Sequence, residues 1–344
     1  MSAPNVQLCP EPAVSVEADT ILAVIPALNE AGHIEACIRS LMSGPDKLRE
    51  VSLIVTDGGS TDATVSIVEG LQTEFPKLQI IHNPARLQSA ALNLAAKTSA
   101  TDRTRYLVRC DAHSIYPEGF ILSVAGSLEH TQAASVVIPM DAIGRSCFEK
   151  ANAWIVDTPL GSGGSAHRGG RKSAYVDHGH HAGFDLATFL SLDGYDETFS
   201  HNEDAEYDQR VSNSGGEIFL NADIRIKYIP RGDVRRLARQ YFSYGKGRAR
   251  TVQKHGQRLK LRQAIPIFAL LASLAGLIAA PLFWPALILP LGYVSVLVAA
   301  SVFVMMKQRS ACGLFAGLVS GTMHMSWAAG FIKQTLAGIS SGND

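Results

Sequence analysis

Apolar residues in the first third of the chain fall in short runs that alternate with helical patterns. Residues 20–30 read Thr-Ile-Leu-Ala-Val-Ile-Pro-Ala-Leu-Asn-Glu, an apolar stretch of strand length ending at Pro26. Ile34, Cys37, Ile38, Leu41 and Met42 follow at helical spacing. Val51 to Thr56 is a second short run, closed by Asp57-Gly58-Gly59-Ser60-Thr61-Asp62. Val65, Ile67, Val68 and Leu71 then predict a helix. Leu78 to His82 predicts a third strand, 87–98 a helix rich in Ala and Leu, and Arg105 to Cys110 a fourth strand running into Asp111-Ala112-His113. Strands alternating with helices predict an α/β fold, with a largely parallel sheet covered by helices on both faces.

The far end of the chain follows another pattern. From Ala264 to Met306 there are 43 residues without a charge. About 20 apolar residues cross ~30 Å of hydrocarbon as a helix. Two spans are therefore expected, at 264–282 and 286–306, with a turn between Pro281 and Pro285 and Trp284 at the interface. The charge-free run 310–332 is less apolar and contains His324. It is expected either as a third span or as an interfacial helix.

Of the 344 residues 47% are hydrophobic and 18% charged, which excludes disorder. The zero net charge conceals an asymmetry. Residues 1–224 carry 29 acidic and 15 basic groups, whereas 225–262 carry 13 basic groups and one acid, Asp233. Basic groups abutting apolar helices suit anionic lipid headgroups better than nucleic acid, and they place that side in the cytoplasm. Residues 233–263 are expected as a basic interfacial region, with Leu237, Tyr241 and Tyr244 interleaved with arginines. Five scattered cysteines without a CxxC pair argue against a disulfide framework or a cysteine zinc site, and fit a reducing compartment. Residues 1–19 hold three prolines and no basic start before an apolar run, so a loose leader is expected rather than a signal peptide.

In open α/β sheets ligands bind outside the carboxyl ends of the strands. Three polar clusters lie at such ends: Asn29-Glu30, Asp57 to Asp62, and Asp111 to His113. No GxGxxG or GxxxxGK[ST] segment is present near the first turn, which excludes the dinucleotide and Walker-type readings. Asp57 precedes Gly58 and Gly59, so a flat ligand can meet its carboxylate with the backbone close by; a nucleotide is the natural partner. Asp62 suits a helix cap equally well. In an extended segment Asp111 and His113 share one side and suit a divalent cation, with imidazole favouring Mn²⁺ over Mg²⁺. The alternative for His113 is a solvent-exposed turn. Glu203 to Asp208 supplies four carboxylates in six residues, and such crowding predicts a raised pKa for a base among them. The glycine-rich basic stretch 161–172 offers Arg168 as a diphosphate clamp, or is a plain surface loop. His178, His180 and His181 have a metal-like look but no neighbouring cysteine.

Four segments in order resemble glycosyltransferase family 2 over about 20–230: Pro26-Ala27-Leu28-Asn29-Glu30, Asp57 through Thr64, Asp111-Ala112-His113, and His201-Asn202-Glu203-Asp204-Ala205-Glu206-Tyr207. Tyr175-Val176-Asp177, Gly194-Tyr195-Asp196-Glu197, Gly215-Gly216, Arg239-Gln240-Tyr241-Phe242 and Tyr244-Gly245 resemble its membrane-anchored members in exopolysaccharide biosynthesis. The resemblance implies a Rossmann-like nucleotide-diphospho-sugar transferase (GT-A) domain at 20–232 with C-terminal transmembrane helices. It implies that Asp57 binds the base, with Pro26, Asn29, Glu30 and Gly59 shaping that pocket. Asp111 and His113 would hold Mn²⁺ or Mg²⁺ on the diphosphate, and Asp204 would be the catalytic base. The family usually has Asp-x-Asp where this chain has His113, which leaves the metal open.

The implied donor is a UDP-sugar, with glucose expected. The implied acceptor is a polyprenyl-diphosphate-linked saccharide at the bacterial inner membrane, with the catalytic domain cytoplasmic and no nucleic-acid partner. One in-line attack would invert the anomeric centre. The Gln-x-x-Arg-Trp motif of processive members is absent from Gln240 to Gly245, which favours single-sugar addition. Two alternatives stay open: a polyprenyl-phosphate sugar transferase, and a nucleotide-binding membrane subunit without turnover.

Overall fold

The computed structural model describes residues 15–163, 171–199 and 201–341. Arg168 lies outside the described residues. In chain order the elements begin with β1 (Ile21–Ala27), α1 (Ile34–Leu41), β2 (Ser52–Asp57), α2 (Thr64–Leu71), β3 (Leu78–His82), α3 (Gln88–Thr98), β4 (Tyr106–Arg109) and α4 (Phe120–Thr131). Then come β5 (Ser135–Ile138), β6 (Met140–Ala142), α5 (Cys147–Val156), α6 (Pro159–Ser162), β7 (Ala174–Val176), β8 (His180–Asp185), α7 (Leu186–Ser191) and α8 (Glu203–Asn213). The last are β9 (Ile218–Leu220), β10 (Ile226–Tyr228), α9 (Val234–His255), α10 (Leu261–Ala279), α11 (Ile288–Gln308) and α12 (Ala316–Ser341). The chain forms two compact units, Met1–Asp141 with Gly169–Lys227, and Ala142–Arg168 with Tyr228–Asp344.

The first unit is built on an eight-stranded sheet in the order β3-β2-β1-β4-β8-β5-β9-β7. Strands β3, β2, β1 and β4 pair in parallel, as expected of runs that are apolar on both faces. Ile21 through Ile25 are buried completely, and α1 turns Ile34, Cys37, Ile38 and Leu41 onto the same core. Beyond β4 the expectation of a largely parallel sheet fails. Strand β8 runs antiparallel to both β4 and β5, and β7 antiparallel to β9. The reversal has a functional consequence: it brings the first residues of β8, His180 and His181, to the edge where β4 ends.

In the second unit α5 packs with the C-terminal helices. Ala151, Ile155 and Val156 share one buried cluster with Leu237, Val304, Ala316, Val319 and Met323, and Tyr241 packs against it. Leu237 and Tyr241, expected on a bilayer-facing side of α9, are thus part of this core. Helices α9 and α12 approach closely at two glycines. A Cβ on Gly245 would collide with the Trp327 carbonyl, and one on Gly330 with that of Phe242. Among the described residues two helical segments are long and apolar enough to cross a membrane, Leu261–Ala279 and Trp284–Gln308. Their outer faces expose Phe268, Leu277, Val298 and other large apolar side chains. The scattered cysteines argued against a disulfide framework, yet Cys147 at the start of α5 is bonded to Cys312, with Cα atoms 4.7 Å apart. These two cysteines lie 165 residues apart in sequence, so spacing carried no sign of their pairing.

Candidate active site

Parallel pairing sets Ala27 beside Asp57 and Val24 beside Arg109, so β1, β2 and β4 present their carboxyl ends along one edge. Asp57 closes β2, and its Oδ2 accepts from the backbone N–H of Gly59 at 2.9 Å and of Ser60 at 3.0 Å. That turn needs φ +83° at Gly59, which glycine adopts at no steric cost. The loop after β1 is stitched to the loop after β2. Asn29, itself at φ 57°, accepts from Thr61 N–H at 2.8 Å and donates its own N–H to Ser60 Oγ at 2.8 Å. Glu30 N–H donates to Thr64 Oγ1 at 2.8 Å and Ala31 N–H to Asp62 Oδ2 at 3.1 Å. Asp62 also accepts from Thr64 N–H at 3.0 Å, just ahead of α2, and so ties the two loops together. Pro26, in β1 beside Thr56, lies in the strand beneath this wall.

Two strands away, Arg109 ends β4 with only 6% of its side chain exposed. Its Nη1 donates to Asp204 Oδ1 at 2.7 Å, and its Nε lies 3.6 Å from Asp111 Oδ1. One guanidinium therefore spans the two acids that stood at the centre of the sequence reading. Asp111 Oδ1 also accepts from Gln88 Nε2 at 3.1 Å, and His180 Nε2 lies 3.6 Å from Asp111 Oδ2. Burial works to raise the Asp111 carboxyl, but Arg109, followed by His180 and His113, holds it below its ordinary value.

His113 does not share a side with Asp111 in an extended segment, because the chain turns at Ala112-His113. Its ring is 65% exposed, with Nδ1 3.4 Å from Glu30 Oε1. Among the described residues no three His, Cys, Asp or Glu side chains form a ready-made cage for a metal ion. The donors around Asp111 suit a hard divalent cation that takes one or two protein ligands and completes its shell with water and substrate oxygens.

The four acids of 203–208 do four different things. Asp204 sits in the first turn of α8 and accepts on Oδ1 from Arg109 and, at 3.1 Å, from the Tyr195 hydroxyl. Burial opposes its charge, but Arg109 and His181 hold it well below the usual carboxylate range. The expected raised pKa belongs instead to Glu203, which burial and then the neighbouring Asp204 push up to about 7. Glu206 is buried and pairs with Arg210 at 2.7 Å. Asp208 is buried between two imidazoles, with Oδ2 2.6 Å from His178 Nδ1 and Oδ1 2.7 Å from His181 Nε2. The three-histidine cluster thus divides between Asp208 and Asp111. Strand alternation sends the adjacent His180 and His181 to opposite faces.

Arg109, Gln88, Tyr195, His181 and Asp208 were not singled out as site residues from sequence. Arg109 had a signal. It is the one charge in Tyr106-Leu107-Val108-Arg109-Cys110, and a charge inside a buried strand demands partners.

Glycosyl transferase family 2 matches residues 22–189, which include β1, β2, β4 and β8. The chain is 39% identical over 316 residues to the succinoglycan biosynthesis protein ExoA of Rhizobium meliloti, covering 92% of this chain and 94% of that one. Among solved structures, the mannosyltransferase PcManGT of Pyrobaculum calidifontis, in complex with GDP-Man and Mn²⁺, superposes with a TM-score of 0.59 at 18% identity, over 95% of this chain and 89% of the other. GalNAc-T7, with UDP, GalNAc and Mn²⁺, gives a TM-score of 0.51 at 15% identity, over 68% and 47% of the two chains. Both structural likenesses establish a common GT-A-like fold. Identity that runs through nearly the whole of both chains, on this sheet, places the chain in glycosyl transferase family 2, as a glycosyltransferase of the ExoA type.

Proposed function

We propose that this glycosyltransferase moves one sugar, glucose, from a UDP-sugar to a polyprenyl-diphosphate-linked saccharide in exopolysaccharide synthesis, with inversion. The observation that carries this reading is the Arg109 guanidinium, which joins Asp111 to Asp204 across 3.6 and 2.7 Å. A site for a cation on the leaving diphosphate and a base for the incoming hydroxyl thus lie about one sugar's breadth apart. In this reading Asp57 takes the base of the nucleotide, with Pro26, Asn29, Glu30 and Gly59 forming the wall. Parallel strands stand ~4.8 Å apart, so Asp57 on β2 and Asp111 after β4 are separated by about 10 Å along the edge. That separation suits a nucleoside leading to its diphosphate.

In this reading Asp111, ionised by its surroundings, would hold Mn²⁺ or Mg²⁺, with His113, in the turn that follows, as the second ligand. His113 Nδ1 lies 3.4 Å from Glu30 Oε1, and that carboxylate would orient the ring. The structural neighbours solved with GDP-Man and Mn²⁺, and with UDP, GalNAc and Mn²⁺, support such a site. When bound, the cation supplies charge stabilisation to the departing diphosphate. Asp204 accepts the acceptor hydroxyl's proton. Its low proton affinity is no obstacle, because that proton becomes strongly acidic only as the new C–O bond forms, and the carboxylate is ionised throughout the working range. The basic segment 225–262, the spans at α10 and α11, and the run 310–332 as a third span or interfacial helix would hold the enzyme on the cytoplasmic side of the bacterial inner membrane.

The test is UDP release by the full-length protein in membranes with UDP-glucose, extracted lipid acceptor and Mn²⁺ or Mg²⁺. Asp111→Ala and Asp204→Asn are each expected to abolish release, and Asp57→Ala to raise the donor KM. A β-linked product from the α-linked donor establishes inversion. A product that is a phosphate-linked monosaccharide favours the polyprenyl-phosphate reading instead, and turnover retained in Asp204→Asn removes the base assignment.

A further inference from the structure

Behind Asp204 lies a buried polar chain that the reaction as described does not use. The Tyr195 ring is 2% exposed and packs among Phe184, Phe189 and Tyr207, with ring centroids 5.8, 5.7 and 5.5 Å away. Its backbone is clamped by one side chain of α3. Asn93 Oδ1 accepts from Tyr195 N–H, and Asn93 Nδ2 donates to Tyr195 C=O, both at 2.8 Å. The hydroxyl lies 3.1 Å from Asp204 Oδ1, 2.7 Å from His181 Nδ1 and 3.3 Å from Arg109 Nη1. His181, in turn, meets Asp208 through Nε2 at 2.7 Å.

The donors and acceptors in this chain can be ordered. Arg109 only donates. Asp208 accepts from His181 Nε2–H. With His181 placed between Asp208 and Asp204, its second nitrogen is also protonated and donates to the Tyr195 oxygen. Tyr195 then has two donors pointing at it and one proton left, which goes to Asp204. Among the described residues every hydrogen bond to the Asp204 carboxylate falls on Oδ1. Oδ2 is left for an incoming hydroxyl.

We propose that Tyr195 and His181 are positioning residues for the base: together with Arg109 they fix Asp204 Oδ1 and so aim Oδ2 at the acceptor hydroxyl. This rests on the reading of Asp204 as the base. The neighbouring carboxylates, which push His181 up to about 9 against the effect of burial, keep the order of donors constant over the working range. Orientation of a reacting group is costly to lose, since a displacement of about 1 Å can lower the rate about 100-fold.

Tyr195→Phe tests the proposal, because it keeps the ring in its aromatic pocket and removes only the hydroxyl. The assay is UDP release from UDP-glucose by the full-length protein in membranes with extracted lipid, alongside UDP affinity and the melting temperature. The expected result is a kcat about 10- to 100-fold lower, with donor KM and UDP affinity within about twofold of wild type. His181→Gln should match or exceed the Tyr195→Phe loss if it folds. An unchanged kcat in Tyr195→Phe, or a loss that lies in donor KM or UDP affinity rather than in kcat, overturns the proposal. Full turnover in Asp204→Asn alone refutes the base reading instead, so the two failures are distinguishable.

Discussion

His181 is held protonated in the interior by the two carboxylates that face it, Asp208 and Asp204. Its side chain is fully buried, yet Asp208 and Asp204 raise it from 6.5 to about 9. The folded protein therefore holds a proton that the unfolded chain releases, and stability must fall as pH rises between those values. The contribution is complete below about 6.5 and lost through about 9. Glu203, raised to about 7 from 4.5, has the same sign in a lower window. Above pH 7.5 the slope thus belongs mainly to His181 and to the buried thiols of Cys37 and Cys110, which burial raises as well. The melting temperature of the detergent-solubilised enzyme should fall between pH 7.5 and 9, and fall less steeply in His181→Gln, whose side chain cannot ionise. Identical slopes in the two proteins would mean that His181 is neutral in the folded state.

The elements differ in how far their sequences announced them. Strands β1 to β4 fall within one residue or so of their expected positions, because a strand buried on both faces is a plain apolar run bounded by polar turns. Strand β8 reads His180-His181-Ala182-Gly183-Phe184-Asp185, which has neither alternation nor a continuous apolar stretch. It becomes a strand by pairing with Leu107 and Val108 on one side and with Ser135 and Val136 on the other, a partnership no local pattern announces. His181 was therefore legible only as one of three nearby histidines, and the buried chain to Asp204 was out of reach. Asp57, Asp111 and Asp204 stood out in the sequence because Asp57 closes β2, Asp111 follows β4 and Asp204 lies in the first turn of α8. The turn into Tyr195 was visible as Gly194, and the structure shows what that glycine does. It takes φ +64°, and a Cβ there would collide with Asn93 Oδ1, the atom that accepts from Tyr195 N–H. Gly194→Ala combines a left-handed backbone with this clash and is expected to cost about 1–3 kcal/mol of stability. It should also lower kcat in the manner of Tyr195→Phe. A variant that melts like wild type and turns over normally would show that the Asn93 clamp is dispensable.

At the scale of the whole molecule, the sequence suggests a cut near residue 232 between a catalytic domain and a membrane anchor. The contacts within the second unit argue against cutting there. Helix α5, from the middle of the expected catalytic domain, buries Ala151, Ile155 and Val156 in the cluster that contains Leu237 of α9, Val304 of α11 and Ala316, Val319 and Met323 of α12. Cys147 at its first turn is bonded to Cys312, and Asn152 Nδ2 donates to the Arg231 carbonyl at 3.0 Å. A chain ending at residue 232 would retain α5 and lose the helices that cover it. Uncovering a buried Ile or Val costs about 1.5–3 kcal/mol for each side chain, and two of them on one face make an adhesive patch. The expected outcome is that 1–232 accumulates as aggregate or requires detergent, whereas replacing Ile155 and Val156 in that fragment by polar residues improves its recovery in the soluble fraction. Sedimentation of the two fragments beside the full-length protein in detergent checks this. A monodisperse, water-soluble 1–232 fragment would show that α5 finds its cover elsewhere, and that the anchor can be removed without cost to the rest of the chain.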